Sequence, residues 1–167
     1  MTEEHVWEQV TEGFARLVDG GGGGSPWTVA ESAASYGFSG GGDMTALALR
    51  EAVRSGVPWA VLEAAKAAMG WSDAALARFL RVSEKTLQRS RTSGKAMGED
   101  AAEKILDLSG VLMKGVGVFG EWNRFSGWLR TPGLWFENGV PEELLFDAIG
   151  RGLVREALDR VSHGIWN

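Results

Sequence analysis

Apolar positions between Trp71 and Gly98 follow a pattern that fits two short helices and a tight turn. Leu76, Phe79 and Leu80 recur at three- and four-residue steps, which places them on one face of a helix with Arg78 and Arg81 off it. Ser72 and Asp73 precede that run, and their side-chain oxygens can accept bonds from the unpaired N–H groups of a first helical turn. Arg81-Val82-Ser83 is long enough only for a turn, and Ser83 offers a second cap for a helix over Glu84 to Arg91. Leu87 is the buried anchor of this second helix, with Val82 ahead of it. Glu84, Lys85, Thr86, Gln88, Arg89 and Arg91 are left facing away from the core.

The pattern on either side predicts more helix and almost no strand. Val6, Val10, Phe14 and Leu17, with Trp7 beside the first, sit at helical spacing, so an amphipathic helix is expected from about Glu3 to Val18. The glycine runs at 20–24 and 40–42 then read as flexible linker. Asp43 caps MTALALREAVRS, Pro58 opens PWAVLEAAKAAM, and Gly70 closes it. From Gly98, Ile105, Leu108, Leu112, Val116 and Phe119 continue the spacing over a long helix whose acidic start complements the helix dipole. A helix over Asn123 to Leu129 follows, then an irregular TPGLWFENGV loop. Pro141 opens a helix over PEELLFDAI, Gly150 breaks it, and a last helix covers Arg151 to Ser162. The expected class is all-α: a mobile acidic, Gly-rich arm over 1–42, partly disordered, a helix-turn-helix bundle over 43–110, and a small helical region over 111–167.

Charge changes this picture. Residues 71–98 carry Arg78, Arg81, Lys85, Arg89, Arg91 and Lys95 against Asp73 and Glu84, a net +4 on a chain of net charge −5. The arm holds one arginine against six acids, which equals the charge of the whole chain. A basic patch on an acidic protein suits a polyanion. In a DNA major groove, Gln88 and Arg89 are the candidate base readers, for adenine and guanine edges. Ser83, Lys85, Thr86, Arg91 and Lys95 are the supporting contacts, chiefly to phosphates. The turn lacks the glycine often found in such motifs, with Arg81 in that place. Two amphipathic helices joined by a tight turn also occur in helical proteins that never touch DNA.

Other chemistries find little support. Cysteine is absent, which excludes disulfides and thiolate metal sites, and the two histidines, His5 and His163, lie far apart in sequence. No metal, no cofactor and no catalytic residue is expected. Gly37-Phe38-Ser39-Gly40-Gly41 satisfies G-x-S-x-G, but ESAASY ahead of it makes a poor strand. Ser93-Gly94-Lys95-Ala96 is no phosphate loop, because Arg89 replaces the first glycine and Ala96 the magnesium-holding hydroxyl. The N-terminus lacks an apolar signal-peptide core, and no run approaches the ~18 apolar residues of a membrane span, so a cytoplasmic location is expected. Four of the eight tryptophans fall in the last 47 residues. Trp135 and Phe136 sit on a loop between Pro132 and Pro141, where apolar bulk is covered either by the protein itself or by a partner.

From residue 43 to the C-terminus the chain resembles the Xre/MbcA/ParS antitoxins of bacterial type II toxin–antitoxin systems. The likeness rests on EAVRSGVPWAVLEAAKAAMGWSDAALARFLRVSEKTLQRSRTSGKAM. It rests further on the tail pattern of Trp128-Leu129, Pro132, Leu134, Gly139, Pro141, Leu144-Leu145, Gly150, Val154, Leu158 and His163-Gly164. The S-x-K-T-L-x-R segment from Ser83 to Arg89 fits that family's recognition helix. The resemblance implies a non-enzymatic protein that represses its own operon through the N-terminal module. Its C-terminal region would cover the active site of a toxin, usually a RES-domain enzyme that consumes NAD or ADP-ribosylates a target. Operator contacts would then fall on Ser83 to Arg91. Toxin contacts would fall on the tail, including Arg160, His163, Trp166 and Asn167; the loop pair Trp135 and Phe136, bulkier than the family norm like Trp166, and the end Gly164-Ile165 join them as candidates on their apolar character and position. A homodimer within a hetero-oligomeric complex is expected, since such proteins need two half-sites. The Gly-rich arm and Arg81 depart from the family pattern. A stand-alone regulator with a ligand-sensing or dimerising C-terminal region, and an interaction module that has lost DNA binding, remain open.

Overall fold

The computed structural model describes residue 8, residues 10–12 and residues 46–164. Among them the fold is all-α, with one isolated bridge in which Val57 and Met97 exchange N–H···O bonds of 2.7 and 2.9 Å. Helix α1 is Ala46–Ser55 and α2 is Trp59–Met69. Pro58 directly before α2 has φ −62°, its ring's preferred value, and Gly70 ends the helix in the left-handed region at φ 66°. Helices α3 (Asp73–Leu80) and α4 (Glu84–Ser93) form the helix-turn-helix. Ser72 Oγ accepts from Ala75 N–H and Ser83 Oγ from Thr86 N–H, both at 3.1 Å, so both serines cap as the pattern predicts.

Between the two, Arg81 takes the left-handed conformation, φ 59° and ψ 41°, with Arg81 and Val82 N–H bonding back to Arg78 and Ala77 carbonyls. This is the position where helix ends favour glycine, because a Cβ there costs on the order of 1 kcal/mol. Arg81→Gly is therefore expected to raise the unfolding free energy by roughly 1 kcal/mol, read as a higher urea midpoint. A lower midpoint would mean that the Arg81 side chain makes contacts outweighing the strain.

Helix α5 (Glu99–Phe119) is the axis of the molecule: α8 and α1 pack along it, and α3 and α6 also touch it. Helix α6 (Trp122–Leu129) folds back on its C-terminal turns, followed by a 3-10 turn at Leu134–Phe136, a short α7 (Pro141–Leu144) and α8 (Ala148–Ser162). The fold-back depends on Gly115, where an added Cβ would lie 2.1 Å from Phe125 Cζ. Phe125 is fully buried among Phe119, Trp122 and Trp128, with ring centroids 5.7, 5.9 and 6.0 Å away. One contiguous core runs from Leu62, Leu76, Phe79 and Leu87 through Ile105 and Leu112 to Phe125, Val154 and Leu158. Each such side chain contributes about 1.5–3 kcal/mol by leaving water.

Three sequence expectations are corrected. The C-terminal helices do not break at Gly150. Helix α7 stops at Leu144, Asp147 caps α8 by accepting from Gly150 N–H at 2.7 Å, and Gly150 lies inside α8. Its lack of a side chain serves packing, for a Cβ there would sit 2.0 Å from the Leu144 carbonyl oxygen. Second, the arm is not mobile throughout: residues 10–12 are helical, as expected, but Val10 is 1% exposed within the common core. Burial of this side chain favours docking over the mobility that the glycine run at 20–24 implies. Third, Arg91 does not face away from the core, as set out below. The expected helix from Glu3 to Val18 otherwise lies outside the described residues, as do Asp43 and the G-x-S-x-G stretch.

Candidate DNA-reading and protein-binding faces

Helix α4 buries only Leu87, which is 1% exposed, while Ser83, Lys85, Thr86, Gln88 and Arg89 are all exposed. Lys85, Gln88, Arg89, Thr92 and Ser93 line one shallow concavity on its outer side. Lys95 is exposed just beyond Gly94, the left-handed residue that ends the helix. Thr86 Oγ1 lies 2.9 Å from Ser83 Oγ, so part of its hydrogen-bonding capacity is used within the cap. These residues form one polar, cationic surface on a helix anchored from behind.

Arg91 belongs to that anchor. Its Nη1 and Nη2 donate to the two carboxylate oxygens of Asp73 at 3.0 and 2.9 Å, and Nη2 also donates to Glu63 at 2.8 Å. The guanidinium lies 4.9 Å from the Trp59 ring centre, a cation–π contact. Lys66 Nζ donates to Asp73 Oδ1 at 2.6 Å. Glu63 and Lys66 come from α2, Asp73 from the first turn of α3 and Arg91 from the last turns of α4, so four charges tie three helices together. Bonds from Arg91 and then Lys66 hold the Asp73 carboxyl down to about 2. Asp73 in turn raises both Arg91 and Lys66 above their ordinary values.

Because the folded value of Asp73 lies below its ordinary 3.8, the stability it confers is complete above that value and is lost as pH falls through about 2. Asp73→Asn is thus expected to be less stable than the native protein at neutral pH, with the two converging near pH 2. Thermal melts across that range check it; a constant difference down to pH 2 would mean that the charge on Asp73 is not what stabilises.

The C-terminal region offers an apolar groove of ≈ 400 Å³, walled by Trp128, Pro132, Leu134, Trp135, Phe136, Pro141 and Val161. Trp135 and Phe136 are half-buried, and Trp128 packs edge-on to Phe136 at 6.0 Å. Leu134 is 70% exposed at the lip. Arg160 stands 5.8 Å from the Trp135 ring centre and pairs with Glu156. His163 is exposed, its Nδ1–H donating to the Asp159 carbonyl at 2.6 Å, and Gly164 follows in the left-handed region at φ 78°. The structure thus brings Trp135, Phe136, Arg160 and His163 to one region around the end of α8. Ile165, Trp166 and Asn167 lie outside the described residues.

Phe146 packs tilted against Trp71 and edge-on against Phe79, with centroids 5.1 and 6.2 Å away, and Arg78 lies 4.5 Å over it. Arg151, 4% exposed, pairs with Asp107 and donates to the Leu145 carbonyl at 2.8 Å, and Arg155 pairs with the same aspartate. Sequence reading missed Phe146, Glu63 and this Asp107 cluster. The signal available was an aromatic and two arginines at i, i+4 beside a candidate cap, Asp147, which pattern alone does not connect to α3 and α5.

Residues 48–110 match the antitoxin Xre-like helix-turn-helix domain, and residues 115–164 match the antitoxin Xre/MbcA/ParS C-terminal toxin-binding domain. The chain belongs to the Xre/MbcA/ParS antitoxin family. No curated protein matches it in sequence. The resemblance set out from sequence and these matches agree in family and in the order of the two parts. As an antitoxin it carries a helix-turn-helix and a toxin-binding region on one core, and α5 runs unbroken from one match into the other. No helix among the described residues is long and apolar enough to cross a membrane, and none of their His, Asp or Glu residues cluster as a metal site would.

Proposed function

We propose that this antitoxin represses its own operon through the outer side of α4 and blocks a RES-type toxin, one that consumes NAD or ADP-ribosylates a target, through its C-terminal region. The observation that carries the first part is the split of α4: one side is spent on Leu87 and the Arg91 anchor, the other leaves Lys85, Gln88 and Arg89 exposed. Gln88 and Arg89 face bases, while Ser83, Thr86, Lys85 and Lys95 hold phosphates; Arg91 supports the helix from behind. Two half-sites call for a homodimer, and residues 43–110 supply the DNA-binding unit. Residues 111–167 supply toxin binding and dimerisation, where exposed Ile149 and Leu153 on α8 add apolar surface for a protein partner. Toxin contacts run from Trp135 and Phe136 through Arg160, His163 and Gly164 into Ile165, Trp166 and Asn167. Both partners place its work in the cytoplasm.

The test separates the two faces. Arg89→Ala is expected to weaken binding to DNA from upstream of the antitoxin gene by about 1–3 kcal/mol, and Lys85→Ala to weaken all sequences alike and flatten the salt dependence. Both variants should still rescue cells from the adjacent toxin and stop its NAD consumption. Deleting the chain from Gly164 should abolish rescue and keep DNA binding. If both kinds of change leave both activities intact, the assignment of faces is wrong; if the toxin never touches NAD or ADP-ribose, the RES assignment is.

A further inference from the structure

Arg91 does more than anchor α4. Its Nη1 also donates to the side-chain Oε1 of Gln88 at 3.3 Å. A guanidinium has donors only, so whichever end of the Gln88 amide meets it must be the oxygen; the chemistry of Arg91 decides the orientation. Arg91 itself cannot turn, being bound by both oxygens of Asp73, by Glu63 and by the face of Trp59. Lys66, bonded to Asp73, steadies that carboxylate in its turn. Gln88 remains exposed and lines the outer concavity of α4 together with Lys85 and Arg89.

We infer that Arg91 is a positioning residue that fixes the Gln88 amide with its oxygen inward and its NH2 outward, so that Gln88 reads guanine rather than adenine. The inference rests on the proposed DNA-reading role of α4. An unrestrained glutamine can pair with adenine in two-pronged fashion, its oxygen accepting from N6 and its NH2 donating to N7. With the oxygen turned toward Arg91, the NH2 is the end of the amide that faces the groove. Guanine presents two acceptors there, O6 and N7, both of which an NH2 group can serve, whereas the N6 amino group of adenine would confront another donor. This replaces the adenine contact expected for Gln88 from residue type alone. The relevant sequence distances explain why: Asp73 and Glu63 lie 18 and 28 positions from Arg91, and only the fold brings them to it.

The experiment starts from duplexes enriched out of a random-sequence library by the purified full chain. The base pair read by Gln88 is the one whose preference disappears in Gln88→Ala. Guanine is expected there, and replacing it with 7-deazaguanine should weaken the native protein roughly tenfold. Arg91→Lys, which keeps the charge and loses the fork, should relax or shift preference at that pair toward adenine while preferences at other pairs hold. A purely structural role would instead lower affinity for every sequence by one factor, and that result overturns the inference. So does adenine at the Gln88-dependent pair with binding lost when its N6 amino group is removed, a result that needs no Arg91 variant to fold. Failure to enrich any duplex would reject DNA reading itself, which is a different outcome from either.

Discussion

Asp107→Ala lowers the unfolding free energy by an expected ~3 kcal/mol, the low end of the range for removing one partner from a buried ion pair, since Asp107 is itself 21% exposed. Asp107 on α5 is the shared counter-charge of Arg151 and Arg155 on α8, and the Arg151 side chain is only 5% exposed. Without the carboxylate, two cations face each other, one of them almost wholly buried and left to donate to the Leu145 carbonyl. Arg155→Ala should cost far less, because that side chain is 24% exposed and its loss leaves Asp107 and Arg151 paired. Urea unfolding of the two variants measures the ranking. Equal and small losses would mean that water reaches Arg151 once Asp107 is gone.

Gly150→Ala is the second large effect, and its sign is what matters. In an exposed helix the change would add up to about 1 kcal/mol of stability. At Gly150 the new Cβ would fall 2.0 Å from the Leu144 carbonyl oxygen and 2.9 Å from its Cα, backbone that cannot rotate aside. The junction of α7 and α8 must open, and overpacking of this kind costs about 3 kcal/mol, the upper part of the usual range. Two residues on, Gly152 has nothing within 4 Å of an added Cβ, and Gly152→Ala should be neutral or stabilising. Opposite shifts in melting temperature for the two substitutions confirm the packing argument; a stabilised Gly150→Ala would refute it.

The helix-turn-helix was legible because its determinants are local. Ser72 and Ser83 cap within three residues of themselves, and a helix with a single deep apolar residue, Leu87, has one obvious inner side. What stayed hidden was set by distance along the chain. Arg91 resembles its outward neighbours until Asp73 and Glu63 arrive from α3 and α2. Val10 belongs to the core although a glycine-rich stretch separates it from everything it joins. The α7–α8 boundary was misplaced because Gly150 is a breaker in isolation, whereas here Asp147 starts the helix and the missing side chain admits a neighbouring carbonyl. Trp135, Phe136, Arg160 and His163 stand out in the sequence by character, and the fold brings them around α8; the groove and the exposed Leu134 beside them arise only from long-range packing.

Helix α5 has no joint at the border between the two matched regions, and hydrophobic side chains on either side of that border share a single interior. A cellular protease that opens this interior anywhere therefore unravels both halves together, and no stump survives to do half the work. Turnover of the antitoxin would then act as one event, removing the helix-turn-helix and the toxin-binding region at the same moment rather than in sequence.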